Sequence, residues 1–218
     1  MFLNYEKHSS FVKYGELKMK KDQKNDGEVY KIVLIGDEEV GKEILRKNYF
    51  GYNQDFTAFD DKGLTFAIKR VETEEVKVAF QIWDLGSKEE FDTARPYFYR
   101  DSKGAFLVFD VTNPSSFHNL PKWLEELWKR VGRVPMIICG NRANLREGKE
   151  PKEIVRKELG KEYCRRINEK TGIDVIYIET NEETGENLEE AFLFLAEAIN
   201  KIAEKVLQSS NFSKAENI

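Results

Sequence analysis

Thiols and long apolar runs are scarce in this chain. Among its 218 residues it has only two cysteines, Cys139 in an apolar segment and Cys164 in a helical pattern. Because neither has a second thiol nearby in sequence, a disulfide framework and a zinc site are disfavoured, and we expect two reduced packing residues. No run of about 18 apolar residues is present, so the sequence predicts no transmembrane helix.

Signals for membrane attachment and for nucleic-acid binding are missing as well. The first residues lack the apolar core of a signal peptide, and residues 214–218 contain no cysteine that could carry a prenyl group. The net charge of −4 does not favour a broad basic surface. We therefore expect a cytoplasmic protein with no direct membrane anchor and no nucleic-acid partner.

The most informative segment is an apolar strand followed by a turn with a glycine at each end. Residues 30–35 read YKIVLI, and residues 36–43 read GDEEVGKE. This is the frame G-x-x-x-x-G-K-[Ser/Thr] of a phosphate-binding P-loop, whose backbone N–H groups and lysine contact phosphate oxygens. The last position, where a hydroxyl would bind Mg²⁺, is an acid. The predicted phosphate-binding residues are Gly36, Glu39, Val40, Gly41, Lys42 and Glu43.

Apolar strands alternate with helical patterns along the rest of the chain. Segments with strand character are 64–71 and 76–83, which suggest a hairpin, and 104–110, 134–140 and 174–179, which suggest buried strands. Segments with helical character are 43–50, 91–100, 115–131, 154–170 and 187–207. This order predicts a three-layer α/β fold: a mostly parallel six-stranded sheet with one antiparallel edge strand and helices on both faces.

The composition divides the chain into three parts. Residues 1–28 are rich in Lys, Asp and Asn and predict a flexible or loosely docked N-terminal extension. Residues 29–207 carry the alternating pattern and predict one domain. Residues 208–218 predict a polar C-terminal tail.

Five motifs, in order, resemble those of the Ras superfamily of small GTPases, most closely its Rab branch. They read KIVLIGDEEVGK at 31–42, FQIWDLGSKEEF at 80–91, YFYRDSKGAFLVFDVTNPSSF at 97–117, PMIICGNRANL at 135–145 and ETNEETGENLEEAF at 179–192. The resemblance implies the Ras-like P-loop NTPase fold, with a guanine nucleotide and Mg²⁺ as ligands and GTP hydrolysis as the activity.

Several positions depart from the family pattern at the metal and at the attacking water. The resemblance places the metal site at Glu43, Asp61 and Asp84, where two acids replace two hydroxyls. Lys88 stands where the family has the glutamine that orients water, and a lysine offers no acceptor for that task. No catalytic residue is predicted with that glutamine gone. We also expect Lys42 and Lys88 to pair with the three carboxylates in place of Mg²⁺ and phosphate.

Base recognition departs from the family too. The N-K-x-D motif becomes Asn141-Arg142-Ala143-Asn144, and the S-A-K motif becomes Asn181-Glu182-Glu183. Asn144 sets an amide donor against the guanine donors that an aspartate would accept, a mismatch that costs about 1–3 kcal/mol. The residues that the resemblance assigns to the base are Asn141, Arg142, Asn144, Asn181 and Glu182.

These departures predict a hydrolysis-deficient member of the family, a pseudoGTPase, with weak or altered guanine-nucleotide binding. We expect it to act by binding proteins through its switch regions, about 56–70 and 85–100. Two alternatives stay open. One is a working GTP switch with slow hydrolysis and a carboxylate-rich Mg²⁺ site, and the other is a P-loop protein that prefers a base other than guanine.

Overall fold

A computed structural model describes residues 27–51 and 64–215 of the chain. The six strands are β1 (Glu28–Ile35), β2 (Leu64–Glu72), β3 (Lys77–Leu85), β4 (Gly104–Asp110), β5 (Met136–Asn141) and β6 (Val175–Glu179). The helices are α1 (Lys42–Tyr49), α2 (Arg95–Phe98), α3 (Pro114–His118), α4 (Leu120–Val131), α5 (Lys157–Thr171) and α6 (Leu188–Ala215), with 3₁₀ turns at Glu89–Phe91, Ala143–Arg146 and Pro151–Glu153. The predictions for residues 1–26, for Asp61 and for the first half of the 56–70 segment lie outside the described residues.

The six strands form one sheet in the order β2-β3-β1-β4-β5-β6. Only β2 and β3 pair antiparallel, and β2 lies at the edge, whereas the other four pairs are parallel. The predicted sheet, hairpin and edge strand are therefore confirmed. The parallel pairing brings the carboxyl ends of β1, β3, β4 and β5 to one side of the sheet, where a ligand of such a fold binds.

Apolar side chains fill both faces of the sheet, which explains why the strands read as continuous hydrophobic runs. On one face, α1 and α6 pack on the strands, and Phe192 contacts the rings of Phe50 and Phe106 at centroid distances of 4.9 and 5.3 Å. On the other face, α4 and α5 contribute Trp123 and Ile167 to a second cluster. Helices thus cover both faces, and the predicted three-layer arrangement is confirmed.

Several helix boundaries differ from the sequence prediction. The helix predicted at 91–100 is the short helix α2 (Arg95–Phe98), preceded by a 3₁₀ turn at Glu89–Phe91. The helix predicted at 115–131 is two helices, α3 and α4, which meet at Asn119 just before Pro121. Proline fixes φ and lacks an N–H, so it starts a helix more readily than it continues one. The helix predicted from residue 154 begins at Lys157, because Ile154 is extended with φ −130° and ψ 152°.

The last helix runs to Ala215, beyond the predicted end at residue 207. No glycine or proline occurs after Gly185, so nothing in the sequence stops the helix there. None of the described helices is both long and apolar enough to cross a lipid bilayer. Cys139 and Cys164 are buried, and burial raises the pKa of both thiols, which agrees with the prediction of two packing residues.

Candidate functional site

The turn between β1 and α1 has the shape of a P-loop. Gly36 has φ 145°, and a Cβ there would lie 2.1 Å from the carbonyl oxygen of Val108, so only glycine fits. The Lys42 side chain folds back and donates to the carbonyl oxygens of Gly36 and Asp37 at 2.7 and 2.5 Å. An ammonium group has three N–H donors, so one remains for an anion after these two contacts. Burial lowers the pKa of Lys42, while Asp84 and Asp37 act in the opposite direction.

A cleft of about 810 Å³ opens beside this loop, a size that suits a nucleotide. Acidic side chains dominate its wall. They are Glu38, Glu39, Glu43, Asp84 and Glu90, against the cations Lys42, Lys88 and Arg142. Unit charges about 4 Å apart interact by roughly 4 kcal/mol at an effective dielectric of about 20. The acidic side chains therefore repel a polyphosphate that enters this cleft and weaken its binding.

Asp84 is the penultimate residue of strand β3, beside the P-loop strand, where it pairs in register with Leu34. Its carboxylate accepts a hydrogen bond from Arg46 Nε at 3.0 Å and a longer one from Thr65 Oγ1 at 3.4 Å. Arg46 lies on α1 and is 4% exposed. Burial raises the pKa of Asp84, and the positive charges of Lys42 and Arg46 oppose that rise. The carboxylate of Asp84 thus has a cation of the chain as its direct partner.

The predicted metal ligands do not fit Mg²⁺ well. Glu43 is exposed and accepts a hydrogen bond from Lys47, which lowers the pKa of Glu43. The carboxylate of Asp84 already forms an ion pair with Arg46. Within residues 27–51 and 64–215, no three acids, histidines or cysteines stand close enough to hold a metal ion, and Asp61 lies outside that part of the chain.

Neither Lys42 nor Lys88 forms an ion pair with Glu43 or Asp84, and the predicted pairing with Asp61 lies outside the described residues. Lys42 hydrogen-bonds carbonyl oxygens of the loop, and its influence on Asp84 is through space. Lys88 lines the cleft but makes no ion pair with any described residue. Arg46 and Lys47, on the first helix, supply the charges instead.

Three of the five predicted base-binding residues come together next to the P-loop. Asn141 Nδ2 donates to the carbonyl oxygen of Val40 at 2.9 Å and to Glu182 Oε2 at 3.2 Å. Arg142 donates from Nε to Glu182 Oε2 at 3.1 Å and from one terminal nitrogen to Asp110 Oδ2 at 2.8 Å. These contacts join three loops of the site within the chain itself.

The other two predicted base-binding residues do not join this group. The Asn181 side chain accepts a hydrogen bond from the backbone N–H of Glu183 at 2.8 Å, which closes a local turn. Asn144 is exposed on the 3₁₀ turn Ala143–Arg146. Both remain predicted base contacts without a direct link to the polar cluster at Glu182.

A buried arginine fixes the segment that follows β3, which is the second predicted switch region. Arg95 is 1% exposed and donates to Glu126 Oε1 at 2.7 Å and to the carbonyl oxygen of Gly86 at 2.8 Å. It also pairs with Asp92, and its guanidinium lies 4.7 Å from the ring centroid of Trp123. The segment 86–95 is therefore tied to helix α4.

Helix α4 also holds the start of the P-loop. Trp123 Nε1 and Asn119 Nδ2 each donate to the Asp37 carboxylate at 2.7 Å. Trp123 also stacks against the guanidinium of Arg95. The same residue of α4 therefore contacts both the P-loop and the second switch region. This arrangement holds both elements in place through contacts of the chain's own residues.

A mixed sheet of this order with a P-loop after its first strand defines a Ras-like small GTPase fold. Residues 31–201 match the protein family described as the Ras family. The chain belongs to the Ras superfamily of small GTPases and is Rab-like.

Similar proteins carry Rab names. Ras-related protein Rab-10 of Diplobatis ommata is 33% identical over 172 residues, which cover 78% of this chain and 81% of that protein. Ras-related protein Rab-8B of Homo sapiens is 32% identical over 193 residues and 86% of each chain. GTP-binding protein ypt1 of Schizosaccharomyces pombe is 30% identical over 185 residues, covering 84% of this chain and 86% of that protein.

Sequence reasoning missed the two buried arginines and the side chain of Glu182. A signal existed for Arg46, because it follows Lys42 by four residues and so lies on the same helix face, toward the loop. Arg95 offered a weaker signal. It precedes Pro96 in a segment without a clear apolar period, so only the tertiary contact with Glu126, 31 residues later, reveals its burial.

Proposed function

We propose that this protein is a hydrolysis-deficient, Rab-like pseudoGTPase that binds guanine nucleotide weakly and acts in the cytoplasm by binding other proteins. The observation that carries the proposal is the Arg46–Asp84 pair. Asp84 is the acid that the family keeps for its metal site, and here a guanidinium at 3.0 Å neutralises it. Glu43 replaces the loop hydroxyl. The contacts that both described positions, 43 and 84, would make to Mg²⁺ in the family are therefore altered.

The chemistry of the remaining residues supports slow or absent hydrolysis. Attack on a γ-phosphate needs a group that orients water by accepting its hydrogen bond. Lys88 lies on the wall of the cleft, and an ammonium only donates. The ion pair with Arg46 draws Asp84 away from a metal ion. Without a well-held Mg²⁺, the negative charge that develops on the phosphate would not be stabilised.

The proposed partner surface lies around β2, β3 and α2. The half-buried rings of Phe66 and Phe98 lie 4.5 and 6.2 Å from the ring of Trp83, which is buried beneath this surface. Tyr97, the neighbour of Phe98 in sequence, is 67% exposed. Aromatic side chains of this kind are enriched at protein interfaces, and Rab-like GTPases bind proteins through these switch regions. The Arg95 contacts hold this surface in one conformation, which suits binding that does not depend on nucleotide.

We expect the purified protein to release no phosphate from GTP above the rate without protein. Two measurements check this: phosphate release under multiple-turnover conditions, and chromatography of any nucleotide freed when the protein is denatured. The matched variant is Lys42→Ala, which should change neither result. Steady turnover that disappears in Lys42→Ala would contradict the proposal, because it would show that the loop lysine serves catalysis.

A second candidate is a GTP-binding switch with slow hydrolysis. The intact loop favours it, since Gly36, Gly41 and Lys42 keep the frame and one N–H of the lysine remains for phosphate. Bound GDP in the denatured sample would support this candidate. A bound nucleotide with another base would support the third, a changed base preference.

A further inference from the structure

The carboxylate of Glu182 packs between the P-loop and the loop after β5 and is mostly shielded from solvent. Glu182 follows strand β6, and its side chain is 19% exposed. Its Oε2 accepts hydrogen bonds from Asn141 Nδ2 at 3.2 Å and from Arg142 Nε at 3.1 Å. Both donors belong to the motif that the family uses for the nucleotide base, so the acid is bound by residues that would otherwise face a ligand.

The P-loop is shaped to admit this carboxylate. Gly41 has φ 89°, and a Cβ built there would lie 2.5 Å from Glu182 Oε2 and 2.2 Å from Asn141 Nδ2. Both distances are below any real carbon contact, so the two polar groups occupy the space that the missing side chain leaves. Glu182 therefore packs against the backbone at the start of α1.

The donors around Glu182 are already used within the chain. The Asn141 amide has two N–H groups, and these serve Val40 and Glu182. Arg142 also donates to Asp110 Oδ2 and to the carbonyl oxygen of Glu39, both at 2.8 Å. A base that bound here would have to displace a carboxylate held by an amide and a guanidinium.

We propose that Glu182 is an internal ligand that occupies the predicted base-binding residues Asn141 and Arg142 and so blocks the binding of purine nucleotides. Its side chain replaces the base on Asn141 and Arg142 and joins the P-loop to the loop after β6. The proposal rests on the proposed weak nucleotide binding and gives a cause for it other than the metal site. Without the carboxylate, Asn141 recovers a donor, and Arg142 stays in place through Asp110 and Glu39.

The test compares Glu182→Ala with Glu183→Ala. Glu183 is the next residue on the same loop and is exposed, so its variant removes the same charge but keeps the contacts of Glu182 to Asn141 and Arg142. Fluorescent GDP is titrated into each variant and into the parent protein. We expect Glu182→Ala to bind about tenfold to a hundredfold more tightly, since a hydrogen bond to a charged group is worth about 1.5–3 kcal/mol and 1.4 kcal/mol is tenfold. Glu183→Ala should change affinity by less than about threefold, as for an exposed charge.

Amide hydrogen exchange of the same three proteins gives a readout that needs no nucleotide. In Glu182→Ala, residues 39–42 and 141–146 should exchange faster than in the parent protein, because one of the contacts between their loops is gone. Glu183→Ala should exchange as the parent does.

Equal affinities or equal exchange in the two variants would overturn the proposal. If the parent protein binds weakly and Glu182→Ala binds no better, Glu182 is not the barrier, while the proposed function stands. If the parent protein hydrolyses GTP, the proposed function fails whatever Glu182 does.

Discussion

Replacing Arg95 with alanine should lower the free energy of unfolding by about 3–5 kcal/mol, the range for removing one partner of a buried ion pair. The guanidinium is 1% exposed and contacts Glu126, Asp92 and the carbonyl oxygen of Gly86. Its loss leaves the Glu126 carboxylate, 20% exposed, without a cation and removes packing from the Trp123 ring. Urea unfolding followed by tryptophan fluorescence measures the change.

Arg100→Ala is the matched control, because its side chain is 83% exposed and its ion pair with Asp101 spans 3.8 Å. We expect that variant to stay within about 0.5 kcal/mol of the parent protein. Arg95→Ala should also speed amide exchange in residues 86–98. Similar stabilities for the two variants would show that the second switch region is not held by Arg95.

Replacing Arg46 with methionine should destabilise the fold by about 3–5 kcal/mol for the same reason. Methionine fills much of the space of the arginine stem, so the main effect is on Asp84, whose side chain is 12% exposed. Once the guanidinium is gone, Asp84 keeps the Thr65 hydroxyl and the through-space charge of Lys42. Chemical denaturation of Arg46→Met measures the cost.

A double-mutant cycle with Asp84→Asn isolates the pair. The double variant carries no unpaired buried acid, so it should be more stable than the sum of the single changes by about 0.5–3 kcal/mol. Lys47→Met, next to Arg46 on the exposed side of α1, should cost about 1 kcal/mol or less. Additive effects at Arg46 and Asp84 would mean that the two charges do not stabilise each other.

The fold was predictable because each strand carries its own pattern. The hairpin strands were predicted at 64–71 and 76–83 and observed at Leu64–Glu72 and Lys77–Leu85. The ends of helices were harder to predict where the sequence has no strong stop signal or has a proline within a helical pattern. Pro121 divides the predicted helix at 115–131, and the absence of any breaker after Gly185 lets α6 continue to Ala215.

The motif frame predicts where a site residue sits on the backbone, but it does not predict its partner. Glu43, Asp84 and Asn141 lie at the carboxyl edge of the sheet, as their motifs indicate. Their partners depend on side-chain contacts between segments far apart in sequence, such as Arg46 with Asp84, 38 residues later. Glu182 shows the limit most clearly, since the resemblance predicts that it contacts the base, whereas its carboxylate accepts a hydrogen bond from Asn141, 41 residues earlier.

The most direct test of an internally neutralised site is calorimetric titration of GTP into nucleotide-free protein, once with Mg²⁺ in excess and once with a chelator. Because Arg46 already occupies Asp84 and Glu43 replaces the loop hydroxyl, we expect weak binding with the same affinity under both conditions. An affinity that rises tenfold or more with Mg²⁺, about 1.4 kcal/mol, would show that the cation reaches Asp84 in spite of Arg46 and would contradict the central claim.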